Sequence, residues 1–521
     1  EIALAVLHKA AYCYIYITAS HNPKSDTGFK IGNEIGAQLF GVQRLAIIRE
    51  IALVSMDSVD DINTLPLGQD NKPVMMLGPD EDFDKYFSSK IRSHLLVPGK
   101  PTTLKVLYDP VFGTGQAVLP GILKDLGYEY SVFSEHEGFN GNFPDHRLVD
   151  GNGRPLSPDP ADKRVLGPAI EYATEKGFDI VLATDPDADR CGIAFKDNQG
   201  NWQVMKANDL WAFLLWSRIE FMHDLASEGK LGKAYQGLMR DGFVMATWVT
   251  TDLIERIARA YGFHVRRPPV GFGKIAEESL DEIIMRDWFN SYAFDFESYG
   301  DRYKEGLGNI IGDMHIPSMK QAIEEIFSFA RARILGGFEE SNGVSLGGHT
   351  LEKDGLLAAV VMLELFEYVR SKGFSIWDAY IKLWRTFGCF VGANEQYSLA
   401  GPTAKVDRDK VIKKVEEIYR QARSASKATI AGKVIKEAHR GVDITEPKFN
   451  EPGYKFIFED GSWLIIRPSG TEPKMRFYTQ AEVKAAEFEG RKDEDLLAIR
   501  SLEEQKVTNF ALEAIDEIKK R

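Results

Sequence analysis

Two short apolar segments, each followed by a loop containing aspartate, constrain the fold of this chain most. Residues 104–108 and 178–183 are runs of aliphatic and aromatic side chains, and their length is typical of buried strands rather than helices. Helical segments at 118–126 and 168–176 lie between them. This alternation of strand, helix and strand with short loops predicts an α/β unit with a largely parallel sheet.

The alternation recurs along the chain and then changes. Helical segments at 251–260 and 354–371 continue it, and the second is predicted to be apolar on one face. From about residue 400, strands alternate around the turn at 459–462 and an amphipathic helix closes the chain. These last elements are predicted at 454–458, 463–467, 475–480 and 507–518. They indicate a smaller α+β domain with an antiparallel sheet.

The composition excludes several classes of protein. Of 521 residues, 44% are hydrophobic and 27% charged, which excludes a disordered or collagen-like chain. The formal net charge of −13 argues against nucleic-acid or membrane-surface partners. The longest uncharged apolar run, 355–363, is far shorter than the ~18 residues of a membrane-spanning helix. Cys13, Cys191 and Cys389 are widely separated, so we expect no disulfide framework or zinc site, and a cytoplasmic location.

The first loop with chemical potential follows a predicted strand at 12–18 and reads Thr18-Ala19-Ser20-His21-Asn22-Pro23. Ser20 has small neighbours, so it is a candidate nucleophile or phosphate carrier, the alternative being a serine that caps the loop. We do not expect His21 to serve Ser20 as a base, because adjacent side chains on an extended chain point in opposite directions. Lys30 is a candidate proton-transfer group or a solvated surface lysine.

The second loop is Asp185-Pro186-Asp187-Ala188-Asp189-Arg190, directly after the strand at 178–183. Three carboxylates at this spacing repel one another unless a cation lies among them. Oxygen ligands suit a hard metal such as Mg²⁺, and Arg190 could pair with a phosphate at the same place. The alternatives are a solvated acidic turn and the aspartate nucleophile of a phosphatase.

The third loop is Gly336-Gly337-Phe338-Glu339-Glu340-Ser341-Asn342-Gly343. Carboxylates accept hydrogen bonds from vicinal hydroxyls, so paired acids and a serine between glycines suit the recognition of a sugar. The alternative is a solvated turn.

The fourth loop, Arg467-Pro468-Ser469-Gly470-Thr471-Glu472-Pro473-Lys474, lies between two predicted strands of the last domain. A guanidinium, two hydroxyls and the backbone NH groups around a glycine form a cradle for a phosphate dianion. The alternative is a plain loop. Together, the four loops offer a hydroxyl, a metal site, a sugar clamp and a second phosphate site, the set needed to move phosphate between two positions of one sugar.

The four loops resemble those of the α-D-phosphohexomutase superfamily, of the phosphoglucomutase/phosphomannomutase type. The motifs are TASHNP at 18–23, DPDADR at 185–190, GFEESNG at 337–343 and RPSGTEPK at 467–474, in the family's order and over most of the chain. The resemblance implies an α/β protein with four domains around a central cleft. Three would be related α/β domains with mixed sheets, and the fourth a C-terminal α+β domain with an antiparallel sheet.

The resemblance also implies the domain limits and the loop that each domain contributes. Residues 1–95 would form domain 1 with the phosphoserine loop, and 96–235 domain 2 with the metal loop. Residues 236–390 would form domain 3 with the sugar-binding loop, and 391–521 domain 4 with the phosphate-binding loop. An active-site arginine that family members carry near their start has no counterpart before Ser20, so we expect domain 1 to be truncated at its N-terminus.

Roles for single residues follow by the same resemblance. Catalysis would rest on Ser20, His21, Lys30 and Arg190, with Ser20 phosphorylated in the active enzyme. Mg²⁺ would be held by Ser20, Asp185, Asp187 and Asp189. The substrate would be bound by Lys274, Glu339, Ser341, Arg467, Ser469 and Thr471. Lys274 lies in Gly271-Phe272-Gly273-Lys274, where the family often has Phe and Lys adjacent, and an aromatic stretch at 288–303 lies in a segment longer than usual.

The resemblance implies a phosphotransferase that interconverts hexose 1-phosphate and hexose 6-phosphate. It would work through the phosphoserine and a hexose 1,6-bisphosphate, with Mg²⁺ as cofactor and glucose 1,6-bisphosphate as activator, and its fourth domain would move to close the cleft. We favour glucose phosphates, with mannose phosphates as the alternative. A metal-dependent phosphatase and a non-catalytic sugar-phosphate sensor are the rival functions. We expect a monomer or homodimer whose partner is the hexose phosphate, without nucleic acid or membrane.

Overall fold

The protein was analysed as a computed structural model. The structure describes residues 1–521 except 10, 12, 23, 34, 40, 55–82, 100–101, 146, 152, 154, 284–332, 348, 400–403, 425–426, 446–449, 470–473 and 521. The aromatic stretch at 288–303 therefore lies outside the described residues. None of the helices in the described ranges combines the length and the apolar character needed to cross a membrane.

Helices occur throughout the described chain and cover the faces of the sheets. They are Ile2–Lys9, Gly41–Leu53, Phe83–Arg92, Leu119–Asp125, Lys163–Lys176, Ala207–Ser227, Lys233–Asp241, Asp252–Ala260, Phe272–Ile283, Gly355–Ser371, Ile376–Phe387, Ala404–Arg423, Gly441–Ile444 and Asp493–Lys520.

The first sheet is an antiparallel pair formed by β1, Cys13–Ile17, and β2, Phe29–Asn33. Side chains alternate between its two faces, as expected for strands. Tyr16 of β1 is paired with Lys30 of β2, so the pair brings a tyrosine and a lysine together directly beside the serine loop.

The second sheet has the strand order β4-β3-β5-β6-β7. The strands are β3 Lys105–Asp109, β4 Glu129–Val132, β5 Ile180–Thr184, β6 Cys191–Lys196 and β7 Trp202–Met205. β4, β3 and β5 are parallel, and β6 and β7 are antiparallel to their neighbours. Because the carboxyl ends of parallel strands meet at one edge, the loops after β3 and β5 lie side by side. The parallel core and the mixed sheet confirm the predicted α/β unit.

The helix before β5 differs from the prediction of 168–176. It begins at Lys163 and contains Pro168 in its interior. The Asp162 side chain caps it by accepting a hydrogen bond from the backbone NH of Arg164, and Gly177 ends it in a left-handed conformation with φ of 75°. Proline usually lies at the first position of a helix, but here the cap defines an earlier start.

The third sheet has the strand order β11-β10-β8-β9. The strands are β8 Phe243–Ala246, β9 His264–Arg266, β10 Ile334–Phe338 and β11 Val344–Ser345. β10, β8 and β9 are parallel and β11 pairs antiparallel with β10. The sheet is again mixed, and the sugar-binding loop follows the carboxyl end of β10.

The helix Gly355–Ser371 was predicted to be apolar on one face, which is wrong. Every residue from 355 to 369 is buried, so the helix lies inside the principal hydrophobic core. Its two glutamates accept hydrogen bonds from backbone donors: Glu364 from the NH of Val97 at 2.8 Å, and Glu367 from that of Thr103 at 2.5 Å. Hydrogen-bonded carboxylates can lie in a core where free ones cannot.

The fourth sheet has six strands in the order β12-β17-β16-β15-β14-β13, all antiparallel. They are β12 Cys389–Ser398, β13 Thr429–Ile430, β14 Lys433–Arg440, β15 Tyr454–Phe458, β16 Trp463–Pro468 and β17 Lys474–Val483. The predicted hairpin at 459–462 is confirmed, since β15 pairs with β16 across it. The closing helix is longer than the predicted 507–518 and begins at Asp493.

These sheets confirm the predicted fold class, an α/β protein with mixed sheets and a C-terminal domain with an antiparallel sheet. In the first region, the described strands form the antiparallel pair of β1 and β2. The domain limits at 95, 235 and 390 stay a prediction.

Candidate active site

A cavity of about 660 Å³ lies where the serine loop, the aspartate loop and the sugar-binding loop meet. Six of the predicted site residues line it: Ser20, His21, Lys30, Arg190, Glu339 and Ser341. The fold therefore brings together loops that are separated by up to about three hundred residues of sequence.

Ser20 has an unusual backbone conformation. Its φ is 58°, in the left-handed region that non-glycine residues seldom adopt, and its NH donates to Thr18 Oγ1 at 2.7 Å. This turn places Ser20 Oγ 3.3 Å from His21 Nδ1. The expectation that the two side chains diverge is wrong, because it assumed an extended chain.

His21 is a neutral base beside that hydroxyl. Burial, together with the positive charge of Arg190, lowers the pKa of His21 to about 4. Its Nε2 lies 3.8 Å from the Asp159 carboxylate, which Arg190 also binds at 2.9 Å. At neutral pH, His21 can therefore accept a proton near Ser20.

The aspartate loop is tied to the serine loop through Asp187. Its Oδ1 accepts from Thr18 Oγ1 at 2.5 Å and from the Tyr16 hydroxyl at 3.0 Å. Lys30 donates to Asp187 at 2.9 Å and to Asp189 at 3.1 Å. Burial alone would lower the pKa of Lys30, but the charges of Asp189 and Asp187 outweigh it and raise the pKa. In this arrangement Lys30 is a donor and not a base.

Asp185 has one carboxylate oxygen engaged by the backbone and one that is suited to a cation. Its Oδ1 accepts the backbone NH groups of Asp189 and Arg190, both at 3.0 Å. Its Oδ2 is buried and has no hydrogen-bond partner among the described residues. Burial, and then the charge of Asp189, raise the pKa of Asp185 well above its usual value.

The residues present fit a hard divalent cation, since they are carboxylates and two buried oxygens, Asp185 Oδ2 and Asp189 Oδ1, have no hydrogen-bond partner among the described residues. In the described ranges, no three acidic, histidine or cysteine side chains converge closely enough to hold a metal as they stand. Lys30 and Lys353 instead balance the charge of Asp189, the latter from 3.1 Å.

Arg190 joins the aspartate loop to the sugar-binding loop. It forms a backbone bridge with Gly343, and its Nε is buried without a partner in the part of the chain described. An unsatisfied guanidinium donor at the cavity suits a phosphate oxygen.

The sugar-binding loop is held rigidly after β10. Glu339 accepts from the backbone NH of Gly271 at 3.0 Å, and its carbonyl accepts from the Trp211 indole at 2.9 Å. Ser341 Oγ lies 3.4 Å from Glu339 Oε2. The loop therefore presents a carboxylate and a hydroxyl to the cavity at fixed positions.

The remaining predicted residues lie elsewhere. Lys274 pairs with Glu277 at 3.1 Å on its own helix. Arg467 donates from Nε to Glu451 at 3.1 Å, and the Ser469 NH donates to the Lys474 carbonyl at 2.8 Å. None of Lys274, Arg467 and Ser469 is among the described residues that line the cavity, and Thr471 lies outside the described residues.

Two residues of the cavity were missed by sequence reasoning. Lys353 lies at the cavity and contacts Asp189, and Gln38 lines the wall. Lys353 immediately precedes a predicted helix, and its position in a polar segment next to an N-terminal cap was the available signal.

Comparisons with known proteins agree with this geometry. Family models match three segments: phosphoglucomutase/phosphomannomutase alpha/beta/alpha domain I over residues 1–55, alpha/beta/alpha domain II over 84–200, and the C-terminal domain over 404–496. Together they span just over half of the chain.

Several curated relatives match along most of the chain. A phosphomannomutase of Mycoplasma pneumoniae is 26% identical over 89% of this chain and 69% of its own length. A glucose 1,6-bisphosphate synthase of Homo sapiens is 25% identical over 92% and 68%. A phosphoglucomutase of Staphylococcus aureus is 24% identical over 94% and 76%.

Solved structures share the fold. A phosphoglucomutase/phosphomannomutase family protein from Burkholderia thailandensis has a TM-score of 0.56 and 16% identity, covering 97% of this chain and 76% of the other. The open form of parafusin, a phosphoglucomutase from Paramecium, has a TM-score of 0.54 and 15% identity, covering 98% and 80%.

Proposed function

Because the chain belongs to the phosphoglucomutase/phosphomannomutase family of the α-D-phosphohexomutase superfamily, we propose that it interconverts hexose 1-phosphate and hexose 6-phosphate, with glucose phosphates as the preferred substrates. The reaction runs through a phosphorylated Ser20 and a hexose 1,6-bisphosphate.

One observation supports the proposal above the others: the turn at Ser20. A left-handed serine costs of order 1 kcal/mol or more in backbone strain, and here it places a hydroxyl beside a neutral His21 at the mouth of the cavity. Such strain is characteristic of positions where the side chain must be held for chemistry.

We assign a separate role in the reaction to each group of residues at the cavity. The phosphorus–oxygen bond to Ser20 Oγ breaks as a new bond forms to the sugar hydroxyl oxygen, and the hydroxyl proton passes to the neutral His21 imidazole. Arg190 and Lys30 supply positive charge for the transferring group. Glu339 and Ser341 bind the ring hydroxyls, and Arg467, Ser469 and Thr471 are proposed to hold the phosphate that does not react.

Asp185, Asp187 and Asp189, with Ser20, would hold Mg²⁺, which would neutralise charge on the transferring phosphoryl group when bound. Exclusion of water protects the phosphoserine from hydrolysis, so we propose that the fourth domain closes the cleft during turnover.

Mannose phosphates are the second candidate substrates, because relatives that match most of the chain are named phosphomannomutase. Glucose and mannose differ only at the C2 hydroxyl, which one clamp could accommodate in both. The ratio of kcat/KM for the two 1-phosphates ranks them.

The test is ³¹P NMR of the protein with Mg²⁺, glucose 1-phosphate and a trace of glucose 1,6-bisphosphate. We expect the 6-phosphate signal to grow without inorganic phosphate, and Ser20→Ala to abolish that growth with the fold intact. Ser25→Ala is the matched control, since Ser25 is an exposed serine of the same loop whose hydroxyl donates to the neighbouring Asp26. Growth of inorganic phosphate that is indifferent to Ser20→Ala would instead identify a phosphatase, and binding without conversion a sensor.

A further inference from the structure

Gln38 lies on the wall of the cavity and belongs to none of the four motifs. It follows β2 and forms an antiparallel backbone bridge with Gly32, so its main chain is fixed to the first sheet. Its side chain is half-buried and lines the cavity together with Glu339, Ser341 and Phe272.

The donors of Gln38 are both directed to one carboxylate. Its backbone NH donates to Glu352 Oε1 at 2.6 Å, and its Nε2 donates to Glu352 Oε2 at 2.9 Å. A carboxylate only accepts hydrogen bonds, so the amide nitrogen must face it and the amide oxygen must face away. The orientation of the amide is therefore set by chemistry.

The amide oxygen of Gln38 and one of its two amide hydrogens are not used by Glu352. Within the described ranges, Gln38 Oε1 has no hydrogen-bond partner and is not buried. Gly273 lies against the side chain, where an added Cβ would be 3.6 Å from Gln38 Cβ. The absence of a side chain at Gly273 keeps this part of the wall open.

The charge of the surroundings indicates what this oxygen can bind. Lys30, Lys353, Arg190 and His21 line the same cavity and, apart from neutral His21, are cationic donors that suit phosphate oxygens. A neutral acceptor is repelled by phosphate oxygens and suits a donor such as a hydroxyl. Glu339 and Ser341 alone cannot contact every hydroxyl of a hexose ring.

We propose that Gln38 is a substrate-binding residue whose amide oxygen, oriented by Glu352, accepts a hydrogen bond from a ring hydroxyl of the sugar phosphate. The proposal rests on the proposed function for the class of ligand.

The test is the affinity for glucose 1-phosphate and its 2-deoxy, 3-deoxy and 4-deoxy analogues, measured by calorimetry in a Ser20→Ala background that prevents turnover. Gln38→Met keeps the volume of the side chain and removes the amide. We expect it to weaken glucose 1-phosphate binding about five-fold, the worth of one neutral hydrogen bond. One analogue lacks the hydroxyl that Gln38 binds, and we expect its affinity to be the same with Gln38 and with Gln38→Met.

Gln199→Ala is the matched control, because Gln199 also donates to a glutamate of a distant segment, Glu494 at 2.8 Å, but lies outside the cavity. It should leave every affinity unchanged. If Gln38→Met weakened the binding of all four ligands equally, the proposal would be overturned, because Gln38 would then only hold Glu352 in place. Unchanged affinities in Gln38→Met, or no detectable binding of glucose 1-phosphate, would also overturn it. Binding that follows the expected pattern in a protein without mutase activity would refute the proposed function and leave this inference standing.

Discussion

At the scale of single residues, Asp185 combines structural cost with a proposed function. Its buried Oδ2 is unsatisfied within the described chain, whereas its Oδ1 accepts two backbone NH groups. Asparagine can keep both of those bonds and removes the charge. In the presence of a chelator, we expect Asp185→Asn to raise the free energy of unfolding by about 1 kcal/mol or more, because it removes a buried negative charge beside Asp189.

Urea unfolding with and without Mg²⁺ measures this. The unsubstituted protein should gain stability from Mg²⁺, and Asp185→Asn should gain much less. If Asp185→Asn lowered the stability in chelator, or if Mg²⁺ stabilised the variant as much as the parent, Asp185 would not be a metal ligand.

A second residue with a defined electrostatic role is His136. It is fully buried between Asp109 at 2.9 Å and Asp145 at 2.8 Å. Burial alone would lower the pKa of His136, but its hydrogen bonds to the two carboxylates outweigh burial and raise it. We expect His136→Leu to lower the free energy of unfolding at pH 6 by about 3 kcal/mol, because two carboxylates lose their buried cation.

The pH dependence of that difference has a definite sign. A raised pKa in the folded state stabilises the protein fully below the ordinary histidine pKa of 6.5, and this stabilisation is lost as the pH rises through the folded pKa. The difference in free energy of unfolding between the parent and His136→Leu, measured by urea unfolding, should therefore decrease above pH 6.5. His264→Leu, at an exposed strand position, should show no such trend, and a gap that widens with pH would contradict the assignment.

The motif residues of the cavity could be predicted from sequence because their chemistry is carried by residue type and order. The contact between Ser20 and His21 could not, since it depends on a left-handed φ that no local pattern of this loop specifies. Lys353 was missed for a related reason: its role depends on the approach of Asp189, which is distant in the sequence.

At the scale of elements, the loop after β3 supports the aspartate loop after β5. Thr114 donates its NH to the Pro186 carbonyl at 2.9 Å. A Cβ on Gly113 would lie 2.5 Å from Pro186 Cα, too close for any real contact. We expect Gly113→Ala to push the aspartate loop away and to weaken Mg²⁺ activation at least ten-fold, measured as the Mg²⁺ concentration for half-maximal activity.

Gly121→Ala is the matched control. Gly121 lies in the helix Leu119–Asp125 with nothing within 4 Å of an added Cβ, so alanine should preserve activity and raise stability by up to about 1 kcal/mol. An unchanged Mg²⁺ requirement in Gly113→Ala would show that the two loops are not mechanically coupled.

Elements with a clear period were predicted closely, as in the hairpin of β15 and β16. Where an observed helix differs from the predicted one, the cause is an N-terminal cap or burial by other segments. The helix Lys163–Lys176 starts at the Asp162 cap. Residues 355–369 of the helix Gly355–Ser371 are buried, and its two glutamates accept hydrogen bonds from backbone NH groups of other segments.

At the scale of the whole molecule, the C-terminal sheet packs against the loop that follows β8 through a small apolar cluster that includes Trp463 and Trp248. Trp248 donates from Nε1 to Glu451 at 3.1 Å, and Arg467 donates to the same carboxylate. We expect Trp248→Phe, which removes one donor from this contact, to weaken the domain contact by about 1 kcal/mol. Hydrogen exchange measured by mass spectrometry should then be faster in peptides that contain Trp463.

Trp202→Phe is the control for this prediction. Its Nε1 donates to Thr174 at 2.8 Å within the second domain, so its loss should leave exchange at Trp463 unchanged. Equal exchange in Trp248→Phe and the parent would mean that the indole donor does not hold the domains together.

The position of the phosphate-binding loop relative to the cavity was the feature of the whole molecule that the sequence predicted least well. Its motif is evident in the sequence, but its distance from the cavity depends on how two domains dock, and Arg467 engages Glu451 instead of lining the cavity. The pairing of β15 with β16 and of β16 with β17, in contrast, follows the order of the strands predicted at 454–458, 463–467 and 475–480.

The most direct test of the central claim is the fate of the phosphoryl group at Ser20. The protein is phosphorylated with Mg²⁺ and glucose 1,6-bisphosphate that carries ¹⁸O-labelled phosphate, and is then freed of the bisphosphate. The peptide that contains Ser20 is examined by mass spectrometry before and after addition of unlabelled glucose 1-phosphate. We expect one labelled phosphoryl group on Ser20, which passes to the sugar phosphate and is replaced by an unlabelled one during turnover. A phosphoryl group on another residue, or its release as inorganic phosphate, would contradict it.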